Sequence, residues 1–478
     1  MMHKPIQLQK ITLSFPHKTC FEEFSAQIHY GNRIAIIGRN GSGKSALLNL
    51  LRGALEPTSG RIVVPSDAVI GYVPQVVEDF STQSGGERIN SALTQALNLN
   101  PNVLLLDEPT NHLDQRRRRH LLHWLSRFSG TLIVASHDVE LLRCCVDTFW
   151  HIDQGKIQIF TGYFDDYQQA RMMQRANVET ALATLKRQKK ALHQSLMQEQ
   201  QRAAKSKAKG AKNIEQQKWP TIVSHTKASR SQETSGRKKV AIYEKKQQLL
   251  TELSELRVPE VILPKFNLST DHRHGVVLSI QDGAVGYSAD EMLLSSIYMS
   301  LTENSRIAIL GDNASGKSTL LKAIKSSAEV VRTGEWLLPK ADAIGYLDQH
   351  YQTLCPTEIV LESISRIMPN HSPIEIRYHL SDFLFRSQEE VNCHIANLSG
   401  GEKARLSLAH IAAQTPQLLL LDEVTNNLDL ETRQHVIEVL KHYPGAMIVV
   451  SHDMDFLSAI QIQDDYQVAN GRLHLCAK

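Results

Sequence analysis

One series of short motifs occurs twice in this chain of 478 residues, and that duplication limits the fold more than any other feature. The first series runs through Gly38, Arg39, Asn40, Gly41, Ser42, Gly43, Lys44 and Ser45, then Gln75, then Ser84, Gly85, Gly86 and Glu87, then Leu104–Asp114, then His137. The second runs through Gly311, Asp312, Asn313, Ala314, Ser315, Gly316, Lys317, Ser318 and Thr319, then Gln349, then Ser399, Gly400, Gly401 and Glu402, then Leu419–Asp429, then His452. Ser84 precedes Asp107 by as many residues as Ser399 precedes Asp422, and the same holds for Asp107 with His137 and Asp422 with His452. The large difference falls between the glutamine and the Ser-Gly-Gly, nine positions in the first series and fifty in the second. Such spacing demands two copies of one fold in a single polypeptide.

Within a copy, the short apolar run that ends in Asp107-Glu108 reads as a buried parallel strand. Its acids then sit at the carboxyl end, where open α/β sheets place their ligands. One carboxylate there suits Mg²⁺, and the next suits polarising an attacking water. Upstream, residues 5–37 alternate as strands do, the glycine loop follows, and Ala46–Leu51 carries an apolar helical pattern. Strand, glycine loop closing on Gly-Lys-Ser, and helix together are the setting of a phosphate loop. Its backbone N–H groups surround phosphate oxygens, Lys44 supplies a point charge, and Ser45 offers a hydroxyl to Mg²⁺. The Gln75 amide can touch metal and water. Ser84-Gly-Gly at a helix start presents a hydroxyl and bare backbone donors to an anion. Thr131–Ala135 reads as a further buried strand, which directs His137 toward the γ-phosphate.

Hydrophobic residues make up 42% and charged residues 22% of the chain, an ordinary globular balance for two or three domains. No apolar run approaches the length of a membrane span, and Met1–Gln7 has no apolar signal region. The six cysteines lack Cys-x-x-Cys spacing, which argues against a zinc site or disulfide framework and suits a reducing, cytoplasmic compartment. The net charge of +3 is unevenly placed. Between Lys186 and Lys246 there are 17 Lys plus Arg against 4 Asp plus Glu, a balance of +13, which leaves −10 for the remainder. Ala170–Lys209 is predicted to be one long helix, Gly210–Gly236 a loop tip, and Arg237–Arg257 a returning helix. A one-sided charge on such a hairpin is an electrostatic footprint for a phosphate backbone, with Trp219 or His225 available to stack on a base.

Together these motifs resemble the ABC-type ATPases, and two such domains joined by a long basic segment look like the ABC-F group of translation factors. Gly162-Tyr163-Phe164-x-x-Tyr167 after the first domain is similar to that group too. The near-absent insert between Gln75 and Ser84 resembles the ABC-F proteins that protect ribosomes from antibiotics. The resemblance implies an α/β fold with two ABC-type nucleotide-binding domains, residues 1–164 and 257–478, joined by a helical hairpin over 165–256. It implies a monomer whose domains pair around two ATP molecules with Mg²⁺. One site would hold Lys44, Ser45, Gln75, Asp107, Glu108 and His137, completed by Ser399 and Gly401. The other would hold Lys317, Ser318, Gln349, Asp422, Glu423 and His452, completed by Ser84 and Gly86. Phe15 and Tyr287 lie where the family stacks adenine, a buried core ring being the competing reading. The implied activity is ATP hydrolysis, with Glu108 and Glu423 acting on water, coupled to ribosome binding through rRNA and tRNA.

Two departures stand out: Ala314 replaces the glycine found at Gly41, and Val424 and Asn427 replace Pro109 and His112. Alternative readings are the ATPase subunit of an ABC transporter, docked through a lobe in the Gln349–Ser399 interval, and a DNA-repair ATPase. The short first interval argues against the transporter, and the missing zinc fingers and very long coiled coils against the repair enzyme.

Overall fold

The computed structural model describes residues 2–16, 18–75, 85–111, 113–215, 275–288, 291–348, 351, 353–425 and 428–476. The chain divides into two compact units, one of Met1–Tyr167 with Val261–Lys478 and one of Gln168–Glu260. In the first copy β1 (Ile6–Phe15), β2 (Lys18–Ile28), β3 (Arg33–Gly38), α1 (Lys44–Leu51), β4 (Ser59–Val63) and β5 (Ile70–Val73) precede α2 (Gly85–Asn98). Then come β6 (Val103–Asp107), α3 (Gln115–Arg127), β7 (Thr131–Ala135), α4 (Val139–Cys145), β8 (Thr148–Asp153) and β9 (Lys156–Thr161), followed by α5 (Phe164–Glu215). The second copy starts with β10 (Val276–Ser288), β11 (Glu291–Thr302), β12 (Arg306–Leu310), α6 (Lys317–Ile324), β13 (Val331–Leu337) and β14 (Ile344–Asp348). The helices α7 (Val360–Ile367), α8 (Pro373–Asp382), α9 (Gln388–Val391) and α10 (Gly400–Gln414) lead to β15 (Leu418–Asp422). It closes with α11 (Leu430–Lys441), β16 (Ala446–Val450), α12 (Met454–Ala459), β17 (Asp464–Ala469) and β18 (Arg472–Cys476).

The duplication in sequence becomes a duplication in topology. The larger sheets run β5-β6-β7-β3-β8-β9 and β14-β15-β16-β12-β17-β18, the same permutation, and three-stranded sheets β2-β1-β4 and β11-β10-β13 accompany them. Every residue of β6 and β15 is buried, as a central parallel strand covered on both faces requires. Alternate side chains of each such strand enter two separate cores: Leu104 and Leu106 pack with Leu122 and Leu125, while Val103 and Leu105 pack with Leu47 and Leu48. The parallel registers Asp107↔Ala135 and Asp422↔Val450 bring the strand-end acids level with the residue just before Ser136 and Ser451. The fifty-residue interval of the second copy holds α7–α9, two of them started by full capping boxes, Ser372 with Glu375 and Ser387 with Glu390.

The helix expected over Ala170–Lys209 is longer, 52 residues or about 78 Å at helical rise. Its start is fixed by Phe164 and Tyr167, which are buried; Tyr167 stacks on Phe149 at 5.2 Å and its hydroxyl lies 2.7 Å from His151 Nδ1. Its end passes Gly210, where the loop tip was expected to begin. A single glycine costs about 1 kcal/mol in a helix, and the flanking Ala208, Lys209, Ala211 and Lys212 favour continuation. The returning helix, Trp219 and His225 lie outside the described residues. No described helix is long and apolar enough to cross a membrane.

Candidate nucleotide sites

Each phosphate loop joins the end of a buried strand to a helix N-terminus. Gly43, the N-cap of α1, takes φ 106°, and a Cβ there would sit 3.0 Å from that of Cys20. Lys44, Ser45, Gln75, Asp107, Glu108 and His137 line one cavity of about 360 Å³, with Phe15 and Lys18 also in its wall. The Lys44 ammonium donates to Gly38 O (2.9 Å) and Arg39 O (3.2 Å), and Lys317 makes the equivalent bonds to Gly311 O (2.8 Å) and Asp312 O (2.7 Å). Burial pulls the Lys44 pKa down, with Glu108, Asp429 and Asp107 opposing. Ser318 Oγ donates to Asp422 Oδ1 (3.1 Å), Tyr346 OH donates to Oδ2 (3.2 Å), and Ser45 is likewise bonded to Asp107. Phe15 is 48% and Tyr287 58% exposed, so neither ring is a core aromatic.

Ala314 has φ 60°, in the same left-handed region as Gly41 at 74°. An alanine there carries a steric cost of roughly 1 kcal/mol that glycine does not. The surroundings of Gly41 leave room for a methyl group, since the one atom within 4 Å of a Cβ would be Lys18 Nζ at 3.9 Å. We therefore expect A314G to stabilise the protein by about 0.5–1 kcal/mol and G41A to destabilise it by a similar amount. Denaturant midpoints of the two variants check this; equal midpoints would show that the loop relaxes away from the left-handed geometry.

Glu108 and Glu423 follow their strands with φ 48° and 50°, an uncommon geometry for a glutamate and one concentrated at functional sites. The turn aims each carboxylate at a histidine: Glu108 Oε1 lies 3.5 Å from His137 Nε2, and Glu423 Oε1 3.7 Å from His452 Nε2. Burial pushes Glu108 up to about 8, with Lys44 opposing. Burial also pulls His137 down to about 3 and His452 down to about 4, with the nearby lysine adding to each. Both rings are therefore neutral at physiological pH.

Both ring nitrogens of His137, Nε2 of His452, and the hydroxyls of Ser42 and Ser315 are buried with no hydrogen-bond partner among the described residues. Unpartnered polar atoms at matching places in both copies suit a ligand rich in acceptors, such as a polyphosphate. Each site offers one strand-end carboxylate beside a hydroxyl, and no described group of three His, Cys, Asp or Glu side chains could cage a metal. That donor set fits Mg²⁺ shared with substrate phosphates.

The two copies touch within their common unit. Asn40 N–H donates to Asp429 Oδ2 (3.2 Å), Arg39 Nε meets Glu431 Oε2 (2.7 Å), and Arg143 Nη1 meets Asp455 Oδ1 (2.8 Å). A cavity of about 80 Å³ is walled by Glu108, His137, Asn313, Glu423 and His452 together. Ser399 caps α10 and its hydroxyl donates to Glu402 Oε2 (2.6 Å); the described contacts from this side to the first loop are made by Asp429 and Glu431. Gly401 packs on the base of α11, where a Cβ would come 2.9 Å from Thr432 Oγ1. Ser84 and Gln349 lie outside the described residues, and Gly85 and Gly86 begin α2.

Some residues of the site were not singled out from sequence. Tyr346 reaches Asp422, and Arg118 and Arg433 hold Asp138 and Asp453, the residues after the two histidines, at 2.7 Å and 3.0 Å. The repeat itself marks them, because Tyr72 and Tyr346, Arg118 and Arg433, and Asp114 and Asp429 occupy equivalent positions.

Comparison with known proteins agrees with this geometry. The ABC transporter family profile matches residues 21–75 and 294–426, and a profile described as AAA domain, putative AbiEii toxin, Type IV TA system matches 75–143. Probable ATP-binding protein YheS of Haemophilus influenzae is 30% identical over 91% of this chain and 75% of its own length. Ribosome protection protein VmlR of Bacillus subtilis is 27% identical over 95% of this chain and 85% of its own. A probable ATP-binding cassette sub-family F member 3 homolog of Encephalitozoon cuniculi is 27% identical over 94% and 78%. Among solved structures, the archaeal ribosome recycling factor aABCE1, in complex with ribosomal stalk protein aP1, shares the fold at TM-score 0.62 and 16% identity, over 97% of this chain and 89% of that one.

Proposed function

We propose that this chain, which belongs to the ABC-F family of ATP-binding cassette ATPases, closes over two ATP molecules and acts on the ribosome near the tRNA and peptidyl transferase region. The observation that carries this reading is the +13 balance of residues 186–246, set between two nucleotide domains. A relative named as a ribosome protection protein supports its narrower form, protection from an antibiotic.

In this reading Lys44 and Lys317 hold the β- and γ-phosphates, and Phe15 and Tyr287 stack on adenine. The remaining loop residues, Thr319 included, surround phosphate with backbone N–H groups. Ser45, Gln75 and Asp107 in one site, and Ser318, Gln349 and Asp422 in the other, would hold Mg²⁺, which when bound offsets phosphate charge. Glu108 and Glu423 orient the attacking water, and His137 and His452, kept neutral by burial, donate to the γ-phosphate. Ser399, Gly400 and Gly401 complete the first site, and Ser84, Gly85 and Gly86 the second. Closure is then a ligand-driven shift between two arrangements of the domains.

The test is cosedimentation with purified ribosomes. Binding is expected with a non-hydrolysable ATP analogue and not with ADP; absence of binding in both removes the ribosome from the proposal while leaving the ATPase intact. A second reading, the energy subunit of a transporter, has one observation in its favour: Ile374 and Tyr378 on α8 are 67% and 70% exposed, one helical turn apart. Recovery in washed membranes and absence from polysomes would support it.

A further inference from the structure

The two copies differ in charge far more than in fold. Residues 1–164 carry 16 Lys plus Arg against 14 Asp plus Glu, whereas residues 257–478 carry 18 against 27. The acidic remainder inferred from composition therefore lies mainly in the second copy, and the first is slightly basic. Much of that difference is visible on one helix.

The helix α3 reads Gln-Arg-Arg-Arg-Arg-His-Leu-Leu-His-Trp-Leu-Ser-Arg, with no acid in its first turn. Arg118 turns inward to Asp138, and Arg117 leans on Asp114 at 3.8 Å. Arg116, Arg119, His120, His123 and Arg127 are all exposed. At 100° per residue these five fall within an arc of about 100°, opposite the buried Leu121, Leu122 and Leu125. Among the described residues no carboxylate is paired with Arg116, Arg119 or Arg127.

Such a stripe works against its own helix. Cations in the first turn oppose the helix dipole, and like charges three and four residues apart repel. The internal repeat supplies the control: the equivalent positions on α11 and just after it are Glu431, Gln434, His435, Glu438 and His442. Glu431 is taken up by Arg39 of the opposite loop, but the other four positions build the same helix in the same fold without arginine, so the fold does not require Arg119 or Arg127. Arginine's planar fork matches phosphate oxygens in pairs, and a straight row of such forks follows a nucleic-acid backbone better than a scattered protein carboxylate pattern.

We propose that the exposed stripe Arg116–Arg119–His120–His123–Arg127 of the first copy is an RNA-backbone docking surface, separate from the basic linker. This rests on the ribosome reading above and adds a second contact to it. Docking by one copy only would fix which way round a nearly symmetric pair of domains meets its RNA.

The test transplants the second copy's residues at positions away from the contact between the copies: Arg119→Gln, His123→Glu and Arg127→His in the full-length chain. Its basal ATPase is expected within about twofold of wild type, because none of the three lines the first nucleotide cavity or the smaller cavity between the copies. Ribosome affinity is expected to fall about tenfold at 0.1 M salt, and the slope of log affinity against log salt to shrink by about 2. The double variant R119K/R127K, which keeps charge, should retain most of the affinity. A photoreactive amino acid in place of Arg119 should crosslink to rRNA. Unchanged affinity and slope would overturn the proposal, as would a crosslink confined to ribosomal protein, which would identify an acidic protein partner instead. If wild type binds no ribosomes, the ribosome reading fails by itself. The stripe is then judged with a structured RNA duplex over the same salt series, where an equal slope for wild type and triple variant overturns it.

Discussion

Changing Glu108→Gln together with Glu423→Gln is expected to lower ATP hydrolysis about a hundredfold or more and, on the ribosome reading, to hold the protein on ribosomes whenever ATP is present. The reasoning begins with geometry. Each glutamate sits in a left-handed turn at the end of a fully buried strand, beside a neutral histidine that is largely but not wholly buried, and both line one small cavity between the two copies. Glutamine keeps the shape and can still form hydrogen bonds, but it cannot accept a proton from water. Binding and closure should survive while the step proposed to reopen the domains does not. The folded state of the variant has its own control. In nucleotide-free, metal-free protein, burial raises Glu108 from 4.5 to about 8, so the folded state holds a proton that the unfolded state releases. That contribution is fully present below pH 4.5 and is lost as pH rises through about 8. Glu108→Gln removes the dependence, so the variant's unfolding midpoint should match wild type near pH 5 and exceed it near pH 8. Loss of hydrolysis is measured by phosphate release and the trap by cosedimentation. Wild-type phosphate release from the double variant would dismiss these residues as the groups acting on water. Loss of hydrolysis without a trap would spare that role and count against coupling to the ribosome.

The sequence carried the duplication, and the duplication carried the fold. The pattern itself placed Asp107 and Glu108 at a strand end, because four apolar residues closed by an acid have few other readings, and the short run Thr131–Ala135 did the same for His137. The positive φ of Glu108 and Glu423 was not legible, since glutamate has no preference for that region and the turn is imposed by tertiary bonds such as Glu108 N–H to Ala135 O. The long reach of α5 was underestimated because Gly210 reads as a breaker when its neighbours are discounted. The bridge from Asp429 to Asn40 joins residues nearly four hundred positions apart, and no local pattern announces it. The arginine stripe was present in plain letters, but its meaning appears only when burial shows which side of α3 faces out.

Asp429→Ala should lower ATP turnover about tenfold or more, while Asp429→Asn loses less. Asp429 is buried, and its carboxylate does two things at once. One oxygen accepts Thr432 N–H at 2.8 Å and caps α11; the other accepts Asn40 N–H at 3.2 Å from the opposite phosphate loop. Burial alone would raise its pKa, but the Thr432 and Asn40 N–H groups hold it below the ordinary carboxylate value, so the bonds are made to a charged group. Alanine forfeits the cap, worth about 1 kcal/mol, and a charge-assisted bond of about 1.5–3 kcal/mol across the copies. Asparagine has one oxygen for these two donors, so it keeps either the cap or the Asn40 bond and loses the other together with the charge, which places it between aspartate and alanine. Asp114→Ala separates the two losses: Asp114 caps α3 by accepting Arg117 N–H at 2.8 Å, so its removal should cost similar stability at that helix. Denaturation measures the cap and phosphate release measures the bridge. If Asp429→Ala loses stability as Asp114→Ala does yet turns over ATP at the wild-type rate, the Asn40 contact is a resting arrangement and the closed state that hydrolyses ATP must be held by other bonds.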